Sequence, residues 1–390
     1  MQQIAFYAPL KSPRHKNPSG DRQIARLLQH ALQLAGFDVQ LASQLRSFDK
    51  AGDSQRQQRM IALADKLANR IIKHWQRKGY RPDAWFTYHL YYKAPDLLGP
   101  KICKTLSIPY IACEASWAAK RANGPWQAYH QQLDIALSTA CKVCTINPVD
   151  QIALNDYYTT QAPSPLHRLA PFVETPATEQ VKDKTQLAHT YRLDVSKPWL
   201  ITVAMMRDGD KYKSYELLAE TLQLIQADFQ LLIIGDGKRQ EDVKKLFSGD
   251  HRVRFAGRID NEALLQLLPH FSINLWPAVN EALGMTFLES QARGCTVVAG
   301  NEGGVHSVVD NGHTGILCPP RDSLALARAV DSLLSHPEQL ENYQQNARTY
   351  VTENHSLQHA ATELRDIISH AITIQKQSNP TESAGNPDHG

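Results

Sequence analysis

Cysteine is scarce in this chain, with six thiols among 390 residues, so a disulfide-stapled scaffold is excluded. Only Cys141 and Cys144 show a two-residue gap, and no second pair follows. A zinc or redox pair needs more than this. The apolar surroundings predict two thiols on or beside a buried strand, in a reduced cytoplasmic setting where the sequon Asn354-His355-Ser356 has no consequence. No apolar run approaches the roughly 20 residues of a membrane helix. The start, MQQIAFYAPLKS, lacks a charged segment, a long apolar stretch and a small-residue cleavage site, and reads as a first strand instead of a signal peptide. Repeats of solenoid length, a Ser-His-Asp arrangement and a metal-ligand cluster are all missing. Aromatic residues are sparse between the basic ones and no nucleic-acid motif is recognisable, so nucleic acid is not an expected partner. After Gly235-Asp236-Gly237, position 240 is Gln. The third glycine of a dinucleotide fingerprint is therefore absent, which disfavours a nicotinamide oxidoreductase.

What is present is a long, mixed-charge chain of two different halves. Residues 1–172 carry 22 Lys and Arg against 11 Asp and Glu, and residues 173–390 carry 20 against 28. A basic half suggests an anionic partner such as a membrane surface or a phosphorylated acceptor. Short apolar runs at Ile4–Ala8, Val39–Ala42, Ala84–Thr87, Tyr110–Cys113 and Val143–Thr145 alternate with helical stretches, among them 21–35 and the long basic 54–78. The alternation restarts at Leu200–Ala204 and continues through Gln230–Ile234, Arg252–Phe255, Ile273–Leu275 and Thr296–Ala299. The expected organisation is a first Rossmann-like domain at 1–172, a Thr-, Lys-, Glu- and Gln-rich linker at 173–198 and a second Rossmann-like domain at 199–355. A C-terminal helix at 356–375, packing back towards the first domain, and a disordered tail at 376–390 complete it. Two doubly wound units imply a cleft beyond the carboxyl ends of their strands.

The stretch NEALGMTFLESQARGCTVVAG, residues 280–300, carries the most chemistry. Glu281 falls at the mouth of the strand Ile273–Leu275. Gly284 opens the following helix, so the N–H groups of Gly284, Met285 and Thr286 point out of its start, where an anion such as a diphosphate is favoured. Glu289 lies more than one turn on. The two carboxylates thus sit at different depths, each able to accept from a pair of vicinal hydroxyls, one pair on a sugar ring and one on a ribose. A second segment, TVAMMRDGDKYK, runs from a strand into Arg207, Lys211 and Lys213, cations suited to a leaving diphosphate. Its Asp208-Gly209-Asp210 reads as a turn in preference to a metal-binding pair.

On these residues the chain resembles the family-four retaining glycosyltransferases, which have the GT-B fold. The match is Glu281, seven residues and Glu289, with Leu283-Gly284 between and Ala292-Arg293-Gly294-Cys295-Thr296-Val297-Val298 after. Thr296 stands where that family usually has proline. Gly303-Gly304-Val305, Val308-Val309-Asp310-Asn311-Gly312 and Gly315-Ile316-Leu317 also match. The resemblance implies an α/β fold of two Rossmann-like doubly wound domains with an interdomain cleft, and retaining transfer from a nucleotide-diphosphate sugar without a metal. Glu281 would contact the donor sugar and Glu289 the ribose. Arg207 with Lys211, or Lys213 in its place, would neutralise the diphosphate. Gly235 matches the family's Gly-Asp-Gly turn. Gly257 and Arg258 match the loop beside the nucleotide base, Arg258 being otherwise an exposed loop arginine.

The first half matches more loosely. Gly20 would bring amides to the donor phosphates, where the alternative is a helix capped by Ser19 or Asp21. His89, at the end of the strand Ala84–Thr87, would face the donor sugar or incoming hydroxyl, or serve the fold alone. Glu114, Lys120 and Arg121 are acceptor-site candidates. The basic face of helix 54–78 reads as solvated, or as a surface for anionic lipid at the inner membrane face. The implied mechanism is front-face attack through a short-lived oxocarbenium-like ion pair, with lobe closure excluding water. The resemblance suggests cell-surface glycan or glycolipid synthesis. Two other readings compete: an epimerase on the same architecture, and a non-catalytic sugar-nucleotide-binding scaffold at the membrane.

Overall fold

Short β-branched and aromatic runs form strands, and the amphipathic stretches between them form crossover helices. In the computed structural model, residues 1–17, 19–176 and 183–378 are described. They divide into two compact units, one of Met1–Leu169 with the chain from Ala360 onward, the other of Ala170–His359. Residues 177–182 of the expected linker and 379–390 of the expected tail lie outside the described residues.

The first unit is built on strands β1 (Gln3–Tyr7), β2 (Asp38–Leu41), β3 (Ala84–Leu90), β4 (Tyr110–Ala115), β5 (Lys142–Thr145) and β6 (Leu166–Arg168). They form one sheet in the order β2-β1-β3-β4-β5-β6, with every pairing parallel. Parallel neighbours need crossovers, supplied by helices α1 (Gly20–Leu34), α2 (Ser54–Arg77), α3 (Gly99–Leu106), α4 (Gln127–Thr139) and α5 (Pro148–Tyr157). The three-residue β6 has too little apolar content to stand out in the sequence. Trp85, Tyr7, Tyr110 and Tyr129 fill the core on one side of this sheet. The helical spacing of α2 predicts an apolar stripe of Met60, Leu63, Ala64, Leu67, Ile71 and Trp75; all but the exposed Leu63 are buried or pack on the core, joined by Gln57, Ala68 and Ile72.

In the second unit, α6 (Lys184–Tyr191) precedes β7 (Trp199–Val203) and turns Leu187 and Ala188 into the core. Then come α7 (Asp210–Leu224), β8 (Gln230–Ile234), α8 (Gln240–Leu246), β9 (Val253–Gly257), α9 (Asn261–Leu267), β10 (Ile273–Trp276), α10 (Met285–Gln291), β11 (Thr296–Gly300), β12 (Gly315–Cys318), α11 (Ser323–Ser335) and α12 (Pro337–Asn354). The sheet order is β12-β11-β10-β7-β8-β9, again wholly parallel. Central strands such as Gln230–Ile234 are buried on both faces, as a sheet covered by helices requires. Helix α13 (Leu357–Ser378) begins in this unit and, from Ala360, belongs to the first. There Arg365 donates to the Ala35 carbonyl at 3.1 Å. The helix reaches Ser378, so the first residues expected in the tail are helical.

All six cysteines are free. Cys113 and Cys144 face each other across β4 and β5 in the interior. Among the described residues no cluster of His, Cys, Asp or Glu could hold a metal ion. Nor is any described helix long and apolar enough to cross a membrane.

Candidate functional site

In the second unit β7 and β10 are neighbours, so the loops leaving their carboxyl ends emerge side by side. Glu281, on the loop after β10, forms an ion pair with Lys211 in the first turn of α7. Both side chains are mostly buried, at 16% and 20% exposure. The Trp276 indole donates to the same Glu281 carboxylate at 3.3 Å, and the Lys211 ammonium lies 5.5 Å from the centre of the Trp276 ring. A carboxylate, an ammonium and an indole thus meet at the end of β10. Lys213, in contrast, is exposed and lies 3.7 Å from Asp210.

The loop carrying Glu281 is held from several sides. Ala278 and Asn280 both adopt left-handed backbone, with φ of 58° and 47°. The Val279 amide donates to the Ser214 hydroxyl of α7 at 3.1 Å. The Gly304 amide donates to the Glu281 carbonyl at 2.9 Å. Side chains at Gly303 or Gly304 would collide with this loop, since a Cβ would stand 2.0 Å from the Glu281 carbonyl oxygen or 2.1 Å from that of Ala282. The paired glycines therefore exist for close backbone approach.

Arg207 is exposed on the loop after β7. Its neighbour Met206 is buried, donating to the Asp236 carbonyl at 2.8 Å and accepting from the Arg239 amide at 2.9 Å. Gly235 and Gly237 serve this contact. A Cβ on either would strike the carbonyl of Ala204 or Met206, and the Gly235 amide is spent on the Gly257 carbonyl at 2.8 Å. The smallness of Gly235 is thus used by the neighbouring loop, and its N–H is already bonded. Gly257 has φ of 69° with open space beside it, and Arg258 is exposed. Asp208 pairs with Arg239 at 3.3 Å, which gives that carboxylate a cation of the protein's own.

Gly284, in the left-handed conformation, precedes α10 without a capping side chain. Thr286 is half-buried, and Met285 packs its side chain on the core. Glu289, further along α10, has its pKa raised to about 7; burial is the cause, and the nearby Arg293 only partly offsets it. The two carboxylates thus differ in environment as well as depth.

The first unit gathers a separate group. Gly20 is the first residue of α1, not the residue before it, and the Ser19 hydroxyl caps the helix by accepting from the Arg22 amide. Asp21 approaches His89 at the end of β3, Oδ1 to Nδ1 3.2 Å. Burial disfavours the imidazolium, but the Asp21, Glu114 and Asp150 carboxylates outweigh it and raise the His89 pKa. The contact with His89 lowers that of Asp21. Glu114, at the end of β4, has its pKa raised by burial. His89 and Glu114 both have left-handed backbone, with φ of 58° and 56°. Lys120 and Arg121 lie on a single 3₁₀ turn, Ala119–Arg121, Lys120 exposed and Arg121 half-buried.

Residues 196–350 match the model of the family described as glycosyl transferases group 1. This segment is a group 1 glycosyltransferase domain. Glu281, Lys211, Arg207 and Glu289 all fall within the group 1 domain. Over 154 residues the chain is 34% identical to a glycogen synthase of Mycobacterium tuberculosis, a match covering 38% of this chain and 37% of that enzyme. The chain therefore spans little more than a third of the length of that relative. An alpha-D-kanosaminyltransferase of Streptomyces kanamyceticus is 26% identical over 278 residues, 69% of this chain and 70% of its own. The crystal structure of Anabaena HepE in complex with UDP-glucose superposes with a TM-score of 0.67 at 14% identity, covering 95% of this chain and 100% of that one. With the two parallel sheets, this likeness establishes the GT-B fold of two Rossmann-like units.

Sequence reasoning missed three contributors. Trp276 lay one residue past the expected strand Ile273–Leu275 and was given no role. Asp21 was legible as a cap but not as the partner of His89. Asp150 gave no signal, since its charge reaches His89 only because β3, β4 and β5 are neighbours in the sheet.

Proposed function

We propose that this chain is a retaining glycosyltransferase that moves a sugar from a nucleotide-diphosphate donor to an acceptor hydroxyl. The observation that carries the reading is the Glu281–Lys211 pair against Trp276, inside the group 1 domain. Glu281 accepts hydrogen bonds from the donor sugar hydroxyls. Lys211 and Arg207 stabilise the diphosphate as the bond from the anomeric carbon to its phosphate oxygen breaks. The uncapped start of α10 at Gly284 offers amides to the same phosphates, and Glu289 accepts from the ribose. That UDP-glucose occupies the HepE structure of the same fold supports a nucleotide sugar as donor.

The acceptor oxygen attacks on the face the diphosphate leaves, and its proton passes to the departing phosphate oxygen, so the anomeric configuration is kept. His89 and Glu114 are assigned to the acceptor. Two side-chain cations and a helix start take the place of a divalent metal, so transfer persists in a chelator. We further assign the enzyme to surface-glycan or glycolipid synthesis in the cytoplasm. The exposed Lys66, Arg70, Lys73 and Arg77 of α2 would rest on anionic lipid at the inner face of the membrane, which flotation with anionic against neutral vesicles tests.

A thermal-shift panel of UDP-, GDP- and ADP-sugars tests the donor, since binding to the native state raises its melting temperature. Glu281→Ala and Arg207→Ala are expected to abolish transfer with the fold intact. Full activity in either variant defeats the assignment, and NMR of the product anomer decides retention.

A further inference from the structure

Beyond β3 the first unit carries an aromatic and cationic cluster around Arg121, one of the acceptor-site candidates. Tyr92 and Trp126 meet edge to face, ring centres 5.5 Å apart. The Arg121 guanidinium lies 5.2 Å from the Tyr92 ring and 5.3 Å from that of Trp126. The Lys93 ammonium lies 5.6 Å and 5.2 Å from the same two rings. Neither cation forms an ion pair among the described residues, and the buried Arg121 Nε has no hydrogen-bond partner. Two like charges thus share one pair of rings, and among the described residues no carboxylate pairs with either.

The cluster is also braced before any ligand binds. Asp49, fully buried, donates its amide to the Lys93 carbonyl at 2.8 Å and accepts from the Trp126 indole at 3.2 Å. Gln57 ties the Asp49 carboxylate to the Pro125 carbonyl, at 2.7 Å and 3.0 Å. A Cβ on Gly52 would stand 2.5 Å from Pro125 and 3.2 Å from the Trp126 ring, so that loop is pressed against the indole. Buried hydrogen bonds of this kind hold a site in its binding geometry at little entropic cost on binding. A run of ring contacts, His89 to Tyr91 at 5.4 Å and Tyr91 to Tyr92 at 5.6 Å, links the cluster to the end of β3.

We propose that Arg121 and Lys93, set on Tyr92 and Trp126, form a subsite for an acceptor sugar that bears an oxyanion, a carboxylate or a phosphate. The rings take the apolar face of a pyranose and the two cations take its charge, Arg121 through its planar fork. The inference deepens the transferase reading and rests on it.

Ligand-observed NMR titration of the full-length chain with glucuronic acid, glucose 6-phosphate, glucose and inorganic phosphate is the test. Both acidic sugars are expected to bind about tenfold or more tighter than glucose, the gain of one charge-assisted pair. Arg121→Gln and, separately, Lys93→Gln are expected to erase that preference while the thermal shift given by UDP-, GDP- or ADP-sugars persists. If Arg121→Gln does not fold, Lys93→Gln carries the test. Equal affinity for glucose, an unchanged preference in a folded variant, or inorganic phosphate binding as tightly as glucose 6-phosphate overturns the proposal. Donor shifts without any acidic preference sink this inference and leave the transferase reading standing. A chain that no sugar nucleotide stabilises counts against the transferase reading itself.

Discussion

The amide of Gly304 donates to the carbonyl oxygen of Glu281 at 2.9 Å, fastening the loop after β11 to the loop after β10. Its neighbour Gly303 has φ of 73°, and a Cβ there would stand 2.0 Å from the same oxygen. Both facts bear on where the Glu281 carboxylate points.

Gly303→Ala is therefore expected to cost about 1–2 kcal/mol in backbone strain alone, and to push the Glu281 loop away besides. The melting temperature falls and the donor-induced rise is lost. Gly249→Ala is the control: its φ of 88° brings the same strain into open space. It is expected to lower the melting temperature and keep the donor response. Equal donor responses in the two variants would show that the glycine contact does not position Glu281.

Lys211→Met removes the cation facing Glu281. Loss of one preorganised charge from a departing anion lowers turnover by about 10²–10³-fold. Stability should fall as well, by up to about 3 kcal/mol, because the mostly buried Glu281 carboxylate loses its cation and keeps only the Trp276 indole, so melting is measured beside turnover. Lys213→Met, at an exposed position, is expected to leave turnover within a few-fold of the parent. Steady-state kinetics on both variants decides between the two lysines.

Glu289 has a folded-state pKa of about 7 against an ordinary 4.5. A carboxyl raised in this way favours the folded state while protonated. Its contribution is complete below about pH 4.5 and is lost as the pH climbs through 7. Scaled at 1.36 kcal/mol per unit, the loss is on the order of 3 kcal/mol. Glu289→Gln is expected to be the more stable protein at pH 8 and no more stable at pH 4, by denaturant titration at the two values. If ionised Glu289 accepts from the ribose, donor affinity rises across pH 7 in the parent and stays flat in the variant.

His89 is shifted the same way for the opposite reason, because its charged form is the one held. Its contribution to stability is full below about pH 6.5 and fades as the pH rises through its raised pKa. Asp21→Asn is expected to lower the His89 pKa, read directly from the imidazole resonances. It should also remove that component of the stability profile. An unmoved His89 titration would mean that Asp21 is not what holds the proton.

The second unit was far more legible in sequence than the first. Strand β8 begins and ends where its apolar run does, at Gln230 and Ile234, because a doubly covered strand must be apolar throughout. Strands β6 and β12 escaped notice: β6 has only three residues, and the β12 segment Gly315-Ile316-Leu317 was read for its family match alone. The α2 stripe of Met60, Ala64, Leu67, Ile71 and Trp75 was legible from its helical spacing, and only Leu63 turned outward.

Periodicity, chain length and the glycine-flanked glutamate pair were enough to establish the alternating α/β plan, its restart near residue 199 and the loop that bears Glu281. Those features are local, since hydrophobic spacing and glycine backbone freedom act within a few residues. Folding alone decided that Lys211 and not Lys213 meets Glu281, that Gly235 spends its amide on Gly257, and that Asp49 braces Lys93 and Trp126. Each of these joins residues from different crossovers of a parallel sheet. No pattern along the chain encodes such distances, because they depend on which strands become neighbours.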